Sequence, residues 1–156
     1  MFNGKVDQVA TPEQIYNKPR TKMVAAFIGN MNFFETECTG ESSKTITVFH
    51  KDLGNLKLLK NNIFGKENPK ITVGIRPENL KINSKNLKKQ SKSLTAKIAE
   101  KSFMGDTILY SINLSGNNNN TYIISVSDIK NSPNPIIGDE ILVSFEEEDI
   151  VAYYKE

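Results

Sequence analysis

The sequence predicts a mainly β protein made of one or more small barrels or sandwiches and led by two short helices. Two observations carry that expectation. From Asn32 onward apolar residues recur with period two in short runs, and turn residues separate the runs throughout. Helical spacing is confined to the residues before Asn32. Many short strands without crossover helices between them favour a closed or stacked antiparallel architecture over a doubly wound sheet.

The first helix is predicted to start at Pro12. Thr11 offers an N-cap hydroxyl, Pro12 suits the first helical position, and Gln14 stands where a capping box needs it. Pro19 ends this segment. From Lys22 to Ile28, the spacing of Met23, Val24, Phe27 and Ile28 gives one helical face, predicted to be buried against the β-barrel. Gly29 is expected to terminate the helix in a left-handed conformation.

The strands come next, in order. Ile46 and Val48 alternate first, then Ile71, Val73 and Ile75, then Leu94, Ala96 and Ile98. Ile108, Tyr110, Ile112 and Leu114 form the next run, Tyr122, Ile124 and Val126 another, and Ile141, Val143 and Phe145 the last long one. If Tyr110, Ile112 and Leu114 share a face with Tyr122, Ile124 and Val126, the hairpin must leave an odd number of loop residues around Gly116 to Asn120. Leu109, Ile123, Leu142, Val151 and Tyr153 then fall out of phase with the inward set. They are the candidate contact surface for a second copy, because a solvated face prefers polar residues.

Composition excludes several classes of function. The chain of 156 residues carries 20 basic and 18 acidic side chains, too even a balance for a dedicated nucleic-acid binder. One cysteine, Cys38, cannot form an internal disulfide or a thiolate zinc cluster, and one histidine, His50, cannot build a multi-histidine site. No metal and no cofactor is expected. No apolar run is long enough to cross a bilayer, and the first residues lack the plan of a signal peptide, so a soluble protein of the reducing cytoplasm is expected. Lys85, Lys88, Lys89 and Lys92 read as a solvated linker, since no aromatic platforms interleave with them. Glu146 to Asp149 is an acidic run that would need a turn to converge on one ion.

The segment Val73-Gly74-Ile75-Arg76-Pro77-Glu78-Asn79-Leu80 is the most specific motif. Pro77 withholds an N–H and should end the strand before it, while Arg76 and Glu78 can brace neighbouring loops. Together with the opening Gly4 to Pro19, this motif resembles the carboxy-terminal part of the ATP-binding subunits of bacterial ABC importers, the branch serving maltose, polyamines, iron and sulphate. Phe103-Met104-Gly105-Asp106-Thr107 resembles the second motif of that family. The resemblance is close through Asn32 and over Val73 to Leu80, moderate over Ala96 to Tyr154, and weak over Phe34 to Lys70.

The resemblance implies a TOBE-type, OB-like regulatory domain at residues 32–156, commonly built from two intertwined lobes. Residues 1–31 would form a helical junction to an ATPase domain, which implies that some of the apolar surface of Lys22 to Ile28 lacks its natural cover in this chain. It implies structural roles for Gly74, Arg76, Pro77, Glu78 and Gly105. It also implies a homodimer, partnership with the ATPase domain and through it with membrane permease subunits, and a place in the cytoplasm at the inner face of the membrane. The short junction Phe27 to Asn32 points to the polyamine, iron or sulphate branches, polyamine first.

No ATPase activity is expected of this chain. A phosphate-binding loop needs glycines framing a strand-to-helix turn followed by Lys and Ser or Thr. Gly40-Glu41-Ser42-Ser43-Lys44-Thr45 lacks the glycine before the lysine and lies between apparent strands, and Leu114-Ser115-Gly116 runs into a hairpin loop. Two other classes of function remain in view: an oligonucleotide-binding OB module, and a small-oxyanion binding domain of the same plan.

Overall fold

The computed structural model describes residue 4 and residues 6–83, 92–114 and 117–155, with backbone alone at 117–119. Two helices open the chain, α1 (Pro12–Asn17) and α2 (Lys22–Ile28). The strands are β1 (Asn32–Glu41), β2 (Thr45–His50), β3 (Gly54–Leu59), β4 (Ile63–Phe64), β5 (Lys70–Ile75), β6 (Lys81–Ile82), β7 (Lys92–Phe103), β8 (Ile108–Leu114), β9 (Asn117–Val126), β10 (Glu140–Phe145) and β11 (Val151–Tyr154). The protein is therefore mainly β after two short helices, as expected.

The helix starts follow from their caps. Gln14 N–H donates to Thr11 Oγ1, and Thr11 N–H donates to Gln14 Oε1, both at 3.3 Å, which closes the capping box of α1. Val24 N–H donates to Thr21 Oγ1 at 3.1 Å at the start of α2. Two expectations about α2 fail. Gly29 caps it with φ 169°, which is extended rather than left-handed backbone. The face it buries is Val24 and Ala25, whereas Met23, Phe27 and Ile28 are 52%, 75% and 40% exposed. A helix of two turns contacts its sheet along one narrow line, so it cannot bury the whole stripe that its sequence presents.

The chain divides into two compact units. The first comprises Met1–His50, Asn55–Gly74 and Ile150–Glu156; the second comprises Lys51–Gly54 and Ile75–Asp149. The first contains α1, α2 and a six-stranded sheet in the order β3-β2-β1-β5-β11-β4. Its core holds Phe34, Ile46, Val48, Leu56, Leu58, Ile71, Val73 and Ala152. The buried Thr36 hydroxyl donates to Ile71 O at 2.7 Å, tying β1 to β5 through a side chain.

The face of β5 and β11 opposite this core is also covered. Thr72 pairs with Tyr153 and Gly74 with Val151. The Tyr153 hydroxyl donates to Pro19 O at 3.0 Å, and Met31 lies against Gly74. The segment carrying the two helices thus lies across that face, which is why Ile71 through Ile75 are buried without alternation.

The second unit is built on a five-stranded sheet in the order β6-β10-β7-β8-β9. Its inward residues are those the alternation selects: Leu94, Ala96, Ile98, Ile108, Tyr110, Ile112, Leu114, Tyr122, Ile124, Ile141, Val143 and Phe145 are all buried. Val126 is half-buried. The hairpin keeps the expected pairs Ile108 with Val126, Tyr110 with Ile124 and Ile112 with Tyr122. It then shifts register, so that Leu114 pairs with Asn117 and the ladder runs further than the sequence suggested. A bulge takes up the extra residues.

Candidate functional site

The Arg-Pro-Glu corner ends β5 as its chemistry requires. Arg76 is extended at φ −65°, ψ 144°, as the residue before a proline prefers, and a 3-10 turn covers Pro77–Asn79. Asn79 N–H donates to Arg76 O at 3.0 Å. Arg76 and Pro77 are buried and Glu78 is exposed. Gly74 sits where a Cβ would meet Met31 Sδ and Val151 Cγ2 at 3.1 Å each, so any side chain here would require one or both neighbours to give way. Gly105 has φ 85° and leads the two-residue turn Gly105-Asp106, closed by Met104 N–H to Thr107 O at 2.8 Å. A hairpin turn of this length needs a positive φ at its first position. Phe103 and Met104 beside it are 69% and 62% exposed.

The residues predicted to form one outer contact surface separate into groups. Leu109 and Ile123 are half-buried diagonal neighbours on β8 and β9, since Leu109 pairs with Ser125 and Ser111 with Ile123. Leu142 is 37% exposed and pairs with Thr95, whereas Leu109 pairs with Ser102 at the other end of β7. The exposed Lys97 and Glu100 lie between those two positions on β7, so the patch is not continuous. Tyr153 is buried at 4% and Val151 packs on Gly74, both beneath the N-terminal segment in the first unit. Their out-of-phase positions reflect a second covered face rather than an open one.

The sequence did not reveal a recess of about 640 Å³ in the first unit, beside α2. Arg20, Lys22 and Lys155 supply positive charge to its lining, Asp7 the negative charge, and Met23, Phe64 and Tyr153 apolar surface. Glu35 stands beside it, with one carboxylate oxygen 3.3 Å from Lys22 Nζ and the other 3.3 Å from Lys155 Nζ. Burial opposes ionisation of Glu35, but hydrogen bonds from Thr72, Lys22 and Lys155 outweigh it and hold the carboxyl below its usual pKa. Lys22 Nζ also lies 4.9 Å from the Phe33 ring centroid. The signal for this site was the Arg20-Thr21-Lys22 run, but its partners lie more than 130 residues away at Tyr153 and Lys155.

A second recess of about 460 Å³ lies in the second unit, where Lys81, Ile82 and Asn83 face Ser125 to Asp128. Asn83 accepts a hydrogen bond from the Ser144 hydroxyl at 3.1 Å.

Other sequence features resolve simply. Gly40 to Thr45 forms the turn between β1 and β2, with Ser42 N–H donating to Thr45 O at 2.8 Å, so it is a hairpin and not a strand-to-helix phosphate loop. Glu147–Asp149 forms a 3-10 turn, and burial, then Glu148, raises the pKa of Asp149. Among the described residues no group of three or more His, Cys, Asp or Glu side chains could hold a metal ion. No described helix is long and apolar enough to cross a membrane. Lys85, Lys88, Lys89 and Gly116 lie outside the described residues.

Comparison with known proteins agrees with this architecture. The spermidine/putrescine import ATP-binding protein PotA of Borreliella afzelii is 32% identical over 156 residues, all of this chain and 40% of that protein. The multiple sugar-binding transport ATP-binding protein MsmK of Streptococcus mutans is 39% identical over 84 residues, 49% of this chain and 21% of that protein. The chain thus spans well under half the length of either relative. In structure, the cytoplasmic molybdate-binding protein ModG superposes with a TM-score of 0.58 at 10% identity, over 80% of this chain and 96% of that one, a likeness of fold alone. The sequence model of the TOBE domain family matches residues 73–152, from the middle of β5 through the Arg-Pro-Glu corner and the second unit into β11. With that match covering half of its length, on a mainly β, OB-like fold, the chain belongs to the TOBE domain family.

Proposed function

We propose that this chain is the non-catalytic regulatory and dimerisation part of an ABC importer's ATP-binding subunit, of the spermidine/putrescine type. The observation that carries the reading is the alignment of the whole chain with PotA of Borreliella afzelii. The absence of a phosphate-binding loop from the sequence supports a role apart from ATP hydrolysis. In this reading residues 1–31 join the domain to an ATPase, residues 32–156 are the regulatory part, and the assembled subunit works with membrane permeases at the cytoplasmic face.

The self-association surface is carried by Leu109 and Ile123, the apolar pair on the outer side of β8 and β9. Leu142 contributes separately. Two copies related by a two-fold axis would each bury the same patch. Gly74, Arg76, Pro77, Glu78 and Gly105 hold the backbone and take no part in chemistry.

Sedimentation of the purified chain and calorimetry with ATP test the reading together. A concentration-dependent dimer with no heat of ATP binding is the expected result. Saturable ATP binding overturns the non-catalytic assignment, and a monomer at high concentration overturns the dimerisation role.

A further inference from the structure

We propose that the recess beside α2 binds a small organic anion: one acidic group, a carboxylate, sulfonate or phosphate, joined to a flat apolar body. The proposal concerns the first unit alone and stands whether or not the chain regulates an ATPase.

Charge is the first argument. Arg20, Lys22 and Lys155 face two nearby carboxylates, Asp7 in the lining and Glu35 beside it, so one positive charge is in excess. Glu35 is shared between two ammonium groups. Arg20 is anchored by its backbone, whose N–H donates to Gln8 Oε1 at 2.9 Å, while its guanidinium has no partner among the described residues. An arginine left open at the rim of a concave site suits a bidentate acidic group.

Exchangeability is the second. The side chains of Lys22, Lys155 and Glu35 are 49%, 51% and 53% exposed. Ion pairs this exposed hold their partners weakly, so either lysine can turn to a ligand with little loss.

The third is the apolar wall. The Phe64 and Tyr153 rings lie 6.2 Å apart with planes tilted by 35°, and Met23 adds a flexible thioether side chain. Because the Tyr153 hydroxyl is engaged with Pro19 O, the tyrosine offers the recess its ring rather than a donor. Size agrees: about 640 Å³ falls in the range of small-molecule sites, and a bare tetrahedral oxyanion would leave most of it unfilled.

Phenyl phosphate is the probe, with inorganic phosphate and benzyl alcohol for comparison, each titrated into the ¹⁵N-labelled chain and followed by calorimetry. The expected result is saturable binding of phenyl phosphate about tenfold or more tighter than either comparison probe, because both charge and ring are used. Amide shifts should centre on Thr21, Gly65 and Lys155. Arg20→Gln and Lys155→Gln, both at exposed positions, should each weaken binding severalfold with the rest of the spectrum unchanged. Phe64→Ala should erase the preference for phenyl phosphate over inorganic phosphate. No saturation, equal binding of inorganic phosphate, or undiminished affinity in the Arg20→Gln/Lys155→Gln double variant overturns the proposal.

Discussion

Gly74 on β5 stands opposite Val151 on β11, and a methyl group on the glycine would lie 3.1 Å from Val151 Cγ2. Met31 Sδ would stand equally close on another side. Three segments distant in sequence therefore meet over a position that has no side chain. Met31 can swing away, whereas the β-branched valine on a paired strand cannot. Gly74→Ala should destabilise the fold by about 1–3 kcal/mol, the usual range for overpacking, read from denaturant midpoints. Adding Val151→Ala should recover part of the loss, because contacting sites are not additive. Strict additivity would show that the contact is not what restricts the site.

Tyr153→Phe should loosen the N-terminal segment. The substitution keeps the ring among Phe33 and Phe64 and removes the hydroxyl that donates to Pro19 O. A buried neutral hydrogen bond contributes about 1 kcal/mol, and the loss should show as faster amide exchange in α1 and α2 with β7 to β10 unchanged. Uniformly faster exchange would place the effect on the whole fold instead.

Ile123→Lys should dissociate the proposed dimer without unfolding the chain. Ile123 is half-buried on the outer face of β9, while the inward neighbours Tyr122 and Ile124 fill the core. A lysine there is solvated in the monomer and stranded in an apolar interface. Sedimentation with a thermal melt separates the outcomes: a variant that melts much earlier would mean that the side chain supports the fold.

Glu35 gives the stability a pH dependence of predictable sign. Its folded pKa lies below the usual 4.5, because hydrogen bonds from Thr72, Lys22 and Lys155 outweigh burial. Stability from these contacts is therefore present above pH 4.5 and lost as pH falls through the folded value. Half-exposed as it is, the group should contribute at most about 1 kcal/mol after screening. Glu35→Gln should flatten the acid limb of the stability curve below pH 4.5 and lower stability slightly at pH 7. An unchanged acid limb would show that other carboxylates control it.

Much of the fold is legible in the sequence where one face of a strand is buried and the other is wet. The runs from Leu94 to Ile98 and Ile108 to Leu114 are readable for that reason, as is the capping box at Thr11. Alternation fails where both faces are covered. Tyr153 and Val151 look outward because Ala152 points inward, and nothing local says that residues near Pro19 and Met31 lie across the other side. Leu56 and Leu58 of β3 do alternate, a signal blurred by the exposed Leu59 that follows directly. The recess was illegible for a different reason: its cations come from the two ends of the chain, and only the parallel pairing of β11 with β4 and its antiparallel pairing with β5 bring them to one face.

The strand Val151 to Tyr154 lies within its sheet rather than trailing from it. In the sheet order the strand lies between β5 and β4, and β4 has no other strand neighbour among the described residues. Deleting it would bare a hydrogen-bonding edge on an apolar strand, set β4 adrift and empty the wall that Tyr153 provides, so trimming four residues should act like excavation of the interior. Neither unit is encoded as one continuous stretch, so a protease cutting after Asp149, at the end of the second unit, removes part of the first.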